Sequence, residues 1–517
     1  MSHACRHVLV VGGGSAGWLT AGLLASRLGG PEGSPEAIEI TLIESPDQPA
    51  IGVGEGTWPS MRDTLRRIGV SESDFIRECD TAFKQGSKFL GWADGDAGRG
   101  YVHPFSLPHG HGEADLVSAW LARPDAIFAD LVSAQPAVCE AGKAPKQQTT
   151  PEYAAVANYG YHLDAMKLGA FLRRHCVQKL GVRHLVDHVE TVSADPWGGI
   201  AALTTRAHGT LHADLFIDCT GMRARLIGQH FKVPLVDCRP WLFNDSALAM
   251  QVPYAREDAP IACQTLATAQ PAGWIWDIGL PTRRGLGHVY SSIDCSEDEA
   301  AARLIDYARR TGAPEASLAG APRLIRLEPG YRRDAFIHNC VAVGLAAGFV
   351  EPLEASSLVM VELAAGMLCE QFPADRDDMT LLARRFNEAF RYRWQRVIDF
   401  LKLHYAVSRR SDSDYWRRHR DPDTLTDALC ELLPHWQRHP PSRFDFPRID
   451  EMFPSASYQY VLYGMGVRPQ PRGFRDQSSR CETLFAETAG LRRRWLNGLP
   501  DHRELLDGIA AHDLPHV

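Results

Sequence analysis

A chain of 517 residues exceeds what one hydrophobic core ordinarily holds, so two or three packed modules are expected. With 45% hydrophobic and 23% charged residues it is neither fibrous nor disordered in composition, and a formal charge of -8 lacks the basic excess of a nucleic-acid binder. The 12 cysteines are scattered from Cys5 to Cys481 with no Cys-x-x-Cys pair, which speaks against a zinc site or a disulfide framework and for a reducing cytoplasm.

The uncharged run from Val8 to Ser26 follows Arg6 and His7 as the apolar part of a signal peptide follows its basic part, but its glycines point elsewhere. Val8 to Val11 reads as a short buried strand, Gly12 to Gly17 as a tight turn, and Trp18 to Leu28 as a helix. No other uncharged apolar run is long enough to span a membrane. The spacing Gly12-x-Gly14-x-x-Gly17, with Ser15 and Ala16 between the last two glycines, suits a dinucleotide pyrophosphate. It supplies a tight turn, a close backbone approach and a helix start facing the phosphates. Ile38 to Ile43 then forms a second strand ending at Glu44, placed to accept the ribose hydroxyls; the loop Gly30 to Pro35 accounts for its distance from Gly17.

Farther along, Lys84 and Lys88 lie four apart on an expected helix, where solvated lysines are the ordinary reading. In a strand, Trp274 and Trp276 point to one face. His338 to Gly348, including Gly344 and Leu345, reads as a buried strand entering a small-residue turn. After Pro352 an apolar helix runs through Leu368, so the amide groups near Ser356 and Ser357 offer an anion the partial positive charge of a helix start. Phe386, Phe390, Val397, Leu401 and Tyr405 form the core stripe of a long amphipathic helix, with Arg384, Arg391 and Lys402 off it.

Two segments carry a first resemblance. Ala213 to Gly221 resembles the strand that flavoprotein monooxygenases bring back beside their first βαβ unit, and His338 to Gly348 is similar to their segment along the ribityl chain. The resemblance implies FAD rather than NAD, and an α/β fold: a discontinuous, Rossmann-like FAD-binding module of the flavin monooxygenase type with an added mainly helical substrate module. Residues 1–98 and 152–372 are assigned to the first module, and 99–151 and 373–517 to the second.

A sharper resemblance rests on several segments together. They are Gly12 to Trp18, Gly52 to Ser60, Thr81-Ala82-Phe83-Lys84, Tyr101-Val102-His103-Pro104-Phe105, Gly273 to Gly279, Gly348 to Ser357, and Tyr458 to Gly466. Taken as a set they resemble the flavin-dependent tryptophan halogenase family. That resemblance implies an enzyme that takes reduced FAD (FADH2) from a separate reductase, with oxygen and halide, and halogenates an electron-rich aromatic ring through hypohalous acid. It makes Gly52 to Ser60 a strap over the flavin, with Val53 and Gly54 against the cofactor.

It further makes Lys84 the catalytic lysine, whose ammonium donates hydrogen bonds to hypohalous acid or whose neutral amine is itself halogenated. Glu354 becomes the carboxylate that orients the acid or takes the ring proton. Ser356 and Ser357 hold the halide, and Trp274 and Trp276 wall the flavin from the organic substrate. His103 and Phe105 sandwich the ring, each good stacking pair contributing roughly 0.5–1.5 kcal/mol beyond area.

The chain also departs from the family pattern. Ser356-Ser357 replaces Thr-Gly, from which bromide is expected to be turned over better than chloride, and Gly279 replaces the proline of the tryptophan signature. The lid of adjacent tyrosines with a glutamate that clamps free tryptophan is missing, so a simpler indole or another aromatic is the expected substrate. No metal, nucleic acid or membrane is expected as a partner. The alternative reading is a flavin monooxygenase that hydroxylates an aromatic.

Overall fold

Four consecutive uncharged residues, Val8 to Val11, lack the polar alternation of a strand with one wet face, and such strands are buried on both faces in parallel sheets. The computed structural model describes residues 4–30, 37–47, 54–470 and 478–516 and bears this out. Its chain divides into two compact units, one from Met1–Asp80, Leu163–Cys238 and Glu328–Trp394, the other from Thr81–His162, Arg239–Leu327 and Gln395–Val517.

The first unit is built on a six-stranded sheet in the order Phe336–Ile337, Cys340–Ala342, Leu215–Asp218, His7–Val11, Glu39–Glu44, Arg183–Val186. Every pair is parallel except the first. Leu9, Val11, Ile43, Phe216 and Leu203 share its core. The helix Ser15–Leu28 packs against Ala165–Lys179 and Ser356–Glu370. Its Gly22 leaves just enough room for the Cys176 thiol, 3.1 Å from where a Cβ would sit.

Asp218, at the end of the strand Leu215–Asp218, shows how the sheet's exit is held. Its carboxylate is fully buried and accepts hydrogen bonds from the Thr220 amide and hydroxyl and from the amides of Leu226 and Ile227 at 2.6–3.0 Å. Those last two amides belong to the π-helical turn Arg225–His230. One charged side chain thereby satisfies donors that a helix start would otherwise leave unpaired.

The second unit holds a seven-stranded sheet in the order Arg323–Arg326, Ser246–Pro253, Arg283–Tyr290, Gly273–Gly279, Thr265–Gln270, Gly86–Leu90, Gly100–Pro104. Only Thr265–Gln270 and Gly86–Leu90 run parallel. The second unit is therefore not made of helices alone. The helix Arg376–Ala406 has the expected stripe buried, but Lys402 is buried too, with its Nζ 3.0 Å from His419 Nδ1 and 3.1 Å from Thr424 Oγ1.

The helix expected around Lys84 and Lys88 is corrected. Ala82–Lys84 and Gly86–Leu90 are strands joined through Gln85, and the α-carbon of Gly86 faces the His103 carbonyl so closely that a Cβ would lie 2.4 Å from it. Four-residue spacing of two lysines cannot distinguish a helix from two short strands; the pairing partners of those strands decide it. Val53 of the expected strap lies outside the described residues, and Gly54 begins the short strand Gly54–Gly56. Among the described residues no helix is long and apolar enough to cross a membrane, and no group of three or more His, Cys, Asp or Glu stands ready for a metal ion.

Replacing Asp218 by alanine should strand the two π-turn amides, each costing about 1–3 kcal/mol when buried and unpaired. A lower melting temperature and urea midpoint than wild type would register it; unchanged values would contradict the capping role.

Candidate active site

Gly12 adopts φ +115°, and a Cβ there would lie 2.2 Å from the Cys219 carbonyl oxygen. A Cβ on Gly17 would lie 1.8 Å from the Gly12 carbonyl oxygen, so the first and third glycines are fixed by backbone contact between strand and helix. Gly14 differs. It heads the helix Ser15–Leu28 without a side-chain cap, and nothing lies within 4 Å of its Cβ position. An open glycine before an uncapped helix start is what a pyrophosphate needs.

The other cofactor candidates gather around this turn. Ser15 donates to the Ala165 carbonyl at 3.2 Å. Gly344, at φ +67°, approaches Ala16 so closely that its Cβ would be 2.7 Å from the Ala16 Cβ, which brings the Gly344–Leu345 turn against the first helix. Glu44 accepts from His184 Nε2 at 2.7 Å through Oε1, while Oε2 lies over Gly13, 1.7 Å from where a Cβ would be. The edge of Trp18 packs on the His184 ring at 5.1 Å. Gly13, Trp18 and His184 thus orient Glu44, a role no local pattern in the sequence announced. Taken together these residues fit a dinucleotide.

Downstream in the same unit, Ala355 is forced into the left-handed region at φ +53°, ψ +46°, a strained conformation for a residue with a Cβ. That kink lets the helix Ser356–Glu370 begin abruptly, without a capping side chain or an acidic residue in its first turn. Ser356 is buried and Ser357 half-buried at this positive end. Glu354 is buried just before the kink, its carbonyl accepting from Trp58 Nε1 at 2.7 Å. Farther into the helix, burial pushes the Glu362 carboxyl up to about 7, against the pull of hydrogen bonds from Thr64 at 2.6 Å and Ser60 at 3.3 Å. Trp58 and Ser60 lie in the strap segment and Thr64 just beyond it, and their partners lie some 300 positions away.

In the second unit, Lys84 ends the strand Ala82–Lys84 with only 1% of its surface exposed. Its Nζ lies 5.4 Å from the centroid of the half-buried Phe105 ring. Phe105 is held by its amide on the Gln85 carbonyl at 3.1 Å and by Asn158 Nδ2 on its own carbonyl at 2.9 Å. The structure therefore brings Phe105 to Lys84. His103 is turned to other partners: its Nε2 is 2.9 Å from Ser457 Oγ, and its ring packs near Phe400 and Tyr460.

Trp274 and Trp276 share a face of the strand Gly273–Gly279, with ring centroids 6.4 Å apart at 62°. Small neighbours make room for the indoles. Trp276 stands between Ala267 and Gly287 on the adjoining strands, and a Cβ at Gly287 would come within 2.0 Å of its ring. Gly279, where the family pattern has proline, is closely surrounded, with Ile261 Cγ2 3.0 Å and the Ala262 amide 3.2 Å from a Cβ position.

Comparison with known proteins agrees over the full length of this arrangement. A family model described as tryptophan halogenase matches residues 7–477. The chain is 33% identical to tryptophan 6-halogenase SttH of Streptomyces toxytricini, covering 96% of this chain and 97% of that protein. It is 31% identical to tryptophan 7-halogenase RebH of Lentzea aerocolonigenes, covering 98% and 99%. Among solved structures, a tryptophan halogenase from Shewanella frigidimarina NCIMB 400 is 44% identical, with a TM-score of 0.96 and 99% of each chain covered. With both its Rossmann-like flavin-binding fold and nearly all of its sequence matched in this way, the chain belongs to the tryptophan halogenase family of oxidoreductases.

Proposed function

We propose that this enzyme uses FADH2 from a separate flavin reductase, oxygen and halide to halogenate an electron-rich aromatic such as an indole, with bromide preferred over chloride. The observation that carries the reading is Lys84. A lysine ordinarily keeps its ammonium in water, and holding one in a strand at 1% exposure beside an aromatic ring is costly unless the charge has work to do there.

Gly12, Gly14, Ser15, Ala16 and Gly17 would hold the FAD pyrophosphate, Glu44 the ribose hydroxyls, Val53 and Gly54 the covering strap, and Gly344 with Leu345 the ribityl side. When bound in its reduced form, the flavin supplies with oxygen the two-electron oxidation of halide to hypohalous acid. The amides at Ser356 and Ser357 hold the halide at the positive helix end. Trp274 and Trp276 exclude the organic substrate from the flavin, so only a small oxidised halogen species is passed on. Lys84 donates to the oxygen of hypohalous acid and fixes its direction, Glu354 takes the proton that the ring loses, and Phe105 presents a flat face to the ring, while His103, expected as its partner, is turned toward Ser457.

SttH and RebH are named for tryptophan. This chain lacks the lid of adjacent tyrosines with a glutamate, which favours an aromatic without the amino acid zwitterion.

Replacing Lys84 by alanine should abolish halogenated product, a loss of at least about a hundredfold, while flavin reoxidation continues; product followed by mass spectrometry with bromide and a panel of indoles and phenols reads it. Hydroxylated product alone from the unmodified enzyme would establish the monooxygenase alternative. With equal bromide and chloride in one reaction, brominated product should dominate, and a clear excess of chlorinated product would refute the halide assignment. Glu44→Ala should weaken FAD binding in a fluorescence titration by roughly tenfold or more, the worth of hydrogen bonds to a charged group; an unchanged affinity would remove Glu44 from the ribose site.

A further inference from the structure

The helix Ser356–Glu370 buries Leu358, Val359, Met360, Val361 and Leu368, and one carboxylate interrupts this apolar set. Glu362 is buried, and its two oxygens accept hydrogen bonds from Thr64 Oγ1 at 2.6 Å and Ser60 Oγ at 3.3 Å. A helix packed for stability alone would carry leucine or methionine there, because burying an ionisable group is costly even when it is hydrogen-bonded.

Glu362 lies six residues beyond Ser356, a rise of about 9 Å along the axis, and helical side chains lean toward the N-terminus. Its carboxylate therefore stands roughly 9 Å from the first-turn amides at Ser356 and Ser357. Neighbouring bonds fix this placement. Trp58 holds the Glu354 carbonyl just before the helix, and Ser60, two residues on, holds the Glu362 carboxylate inside it.

We propose that the Glu362 carboxylate opposes the positive end of its own helix, so that halide at Ser356 and Ser357 is held loosely enough to be oxidised. The proposal rests on the halogenase reading above. In that reaction halide loses two electrons to the oxidant that reduced flavin and oxygen supply, gains an oxygen atom and a proton, and leaves as hypohalous acid. Its negative charge disappears on the way. Contacts that hold the bare anion tightly are thus lost in the transition state and slow the step. A like charge nearby does the reverse, since its repulsion is felt by the bound anion and relieved as the charge leaves. Two unit charges about 9 Å apart, at the effective dielectric of a protein, change affinity by about tenfold.

The opposing charge depends on pH. Burial pushes Glu362 up to about 7 against the hydrogen bonds of Thr64 and Ser60, so it is ionised above that pH and neutral below it. On the helix Ser60–Arg67, Asp63 raises it and Arg67 lowers it. The helix Ser15–Leu28 brings only Arg27, which lies by Cys369 at the far end of Ser356–Glu370, as does Glu370. Glu55, in the strand Gly54–Gly56, is likewise pushed up to about 7 by burial.

Glu362→Gln removes the charge and can still bond both hydroxyls. Reactions with reductase, NADH, FAD and indole, with bromide varied and bromoindole followed by mass spectrometry, compare the two proteins one pH unit above and below the Glu362 titration at about 7. At the higher pH the variant should show a bromide KM about tenfold lower together with a lower kcat, the signature of relieved ground-state repulsion. At the lower pH the two proteins should converge. The ratio of variant to wild type cancels the titration of Glu55 and of every other group they share. Chloride NMR line broadening on the FAD-loaded proteins should show the same gain in halide affinity without turnover. Thr64→Val removes one hydrogen bond to the carboxylate and should move the pH at which the bromide KM changes upward, which keeps the idea testable if Glu362→Gln folds poorly. A bromide KM unchanged or raised in Glu362→Gln at the higher pH, a ratio equal at both pH values, or an unmoved midpoint in Thr64→Val overturns the role of Glu362 and leaves the halogenase reading intact. An unmodified enzyme that brominates no aromatic overturns both.

Discussion

Keeping the Lys84 ammonium out of water is the constraint around which the second unit is organised. A desolvated lysine is expensive, and the structure meets the requirement with a rigid frame rather than with exposure. Lys84 ends a short strand that is paired to Gly160–Asp164, the next strand starts one residue later at Gly86, and Phe105 is fastened on two sides so that its ring stays near the Nζ. A group on paired strands is held more closely than one on a mobile loop, which is what directing a small reactive electrophile requires. The adjoining strands Gly86–Leu90 and Thr265–Gln270 extend this frame as a parallel pair.

The first unit meets a different requirement, close approach of backbone to backbone where a strand turns into a helix. Gly12 and Gly17 have no room for a Cβ because strand and helix touch there, whereas Gly14 has open space in front of it. Glu44 cannot drift toward this opening, since His184 holds one of its oxygens and the Gly13 backbone supports the other. Farther along, the strained Ala355, like Gly14, precedes a helix that starts without a capping side chain, which leaves the amide ends of the first turn open. Trp58 braces that kink through the Glu354 carbonyl, which ties the strap segment to the helix start.

Trp274 and Trp276 illustrate how a large residue is accommodated by its neighbours. Two indoles on one strand face need small partners on both flanking strands, and Ala267, Ala269, Gly287 and Val289 meet that need in register. Alternation within the strand indicates that the two tryptophans point the same way, but the depth at which Trp276 seats depends on a glycine in a different strand.

Much of the first unit is legible in the sequence. Uncharged strands, the glycine spacing, the acidic residue ending the second strand, and the apolar helix after Pro352 are local patterns, and backbone geometry obeys local patterns when neighbours do not overrule them. The four-residue spacing of Lys84 and Lys88 is a helical signal, but pairing with residues 160–162 makes Lys84 part of a strand. The burial of Lys402, the support of Glu44 by His184, the bond from Trp58 to Glu354 and the contact of His103 with Ser457 each join positions far apart in the chain. The sequence by itself determined the glycine turn and the abrupt apolar helix after Pro352, because residue types at short spacing define them, whereas Lys84 stood out only through the family resemblance. Only the tertiary structure decided which of those groups are desolvated and what stands beside them, because burial and cross-strand register depend on partners that no local window contains.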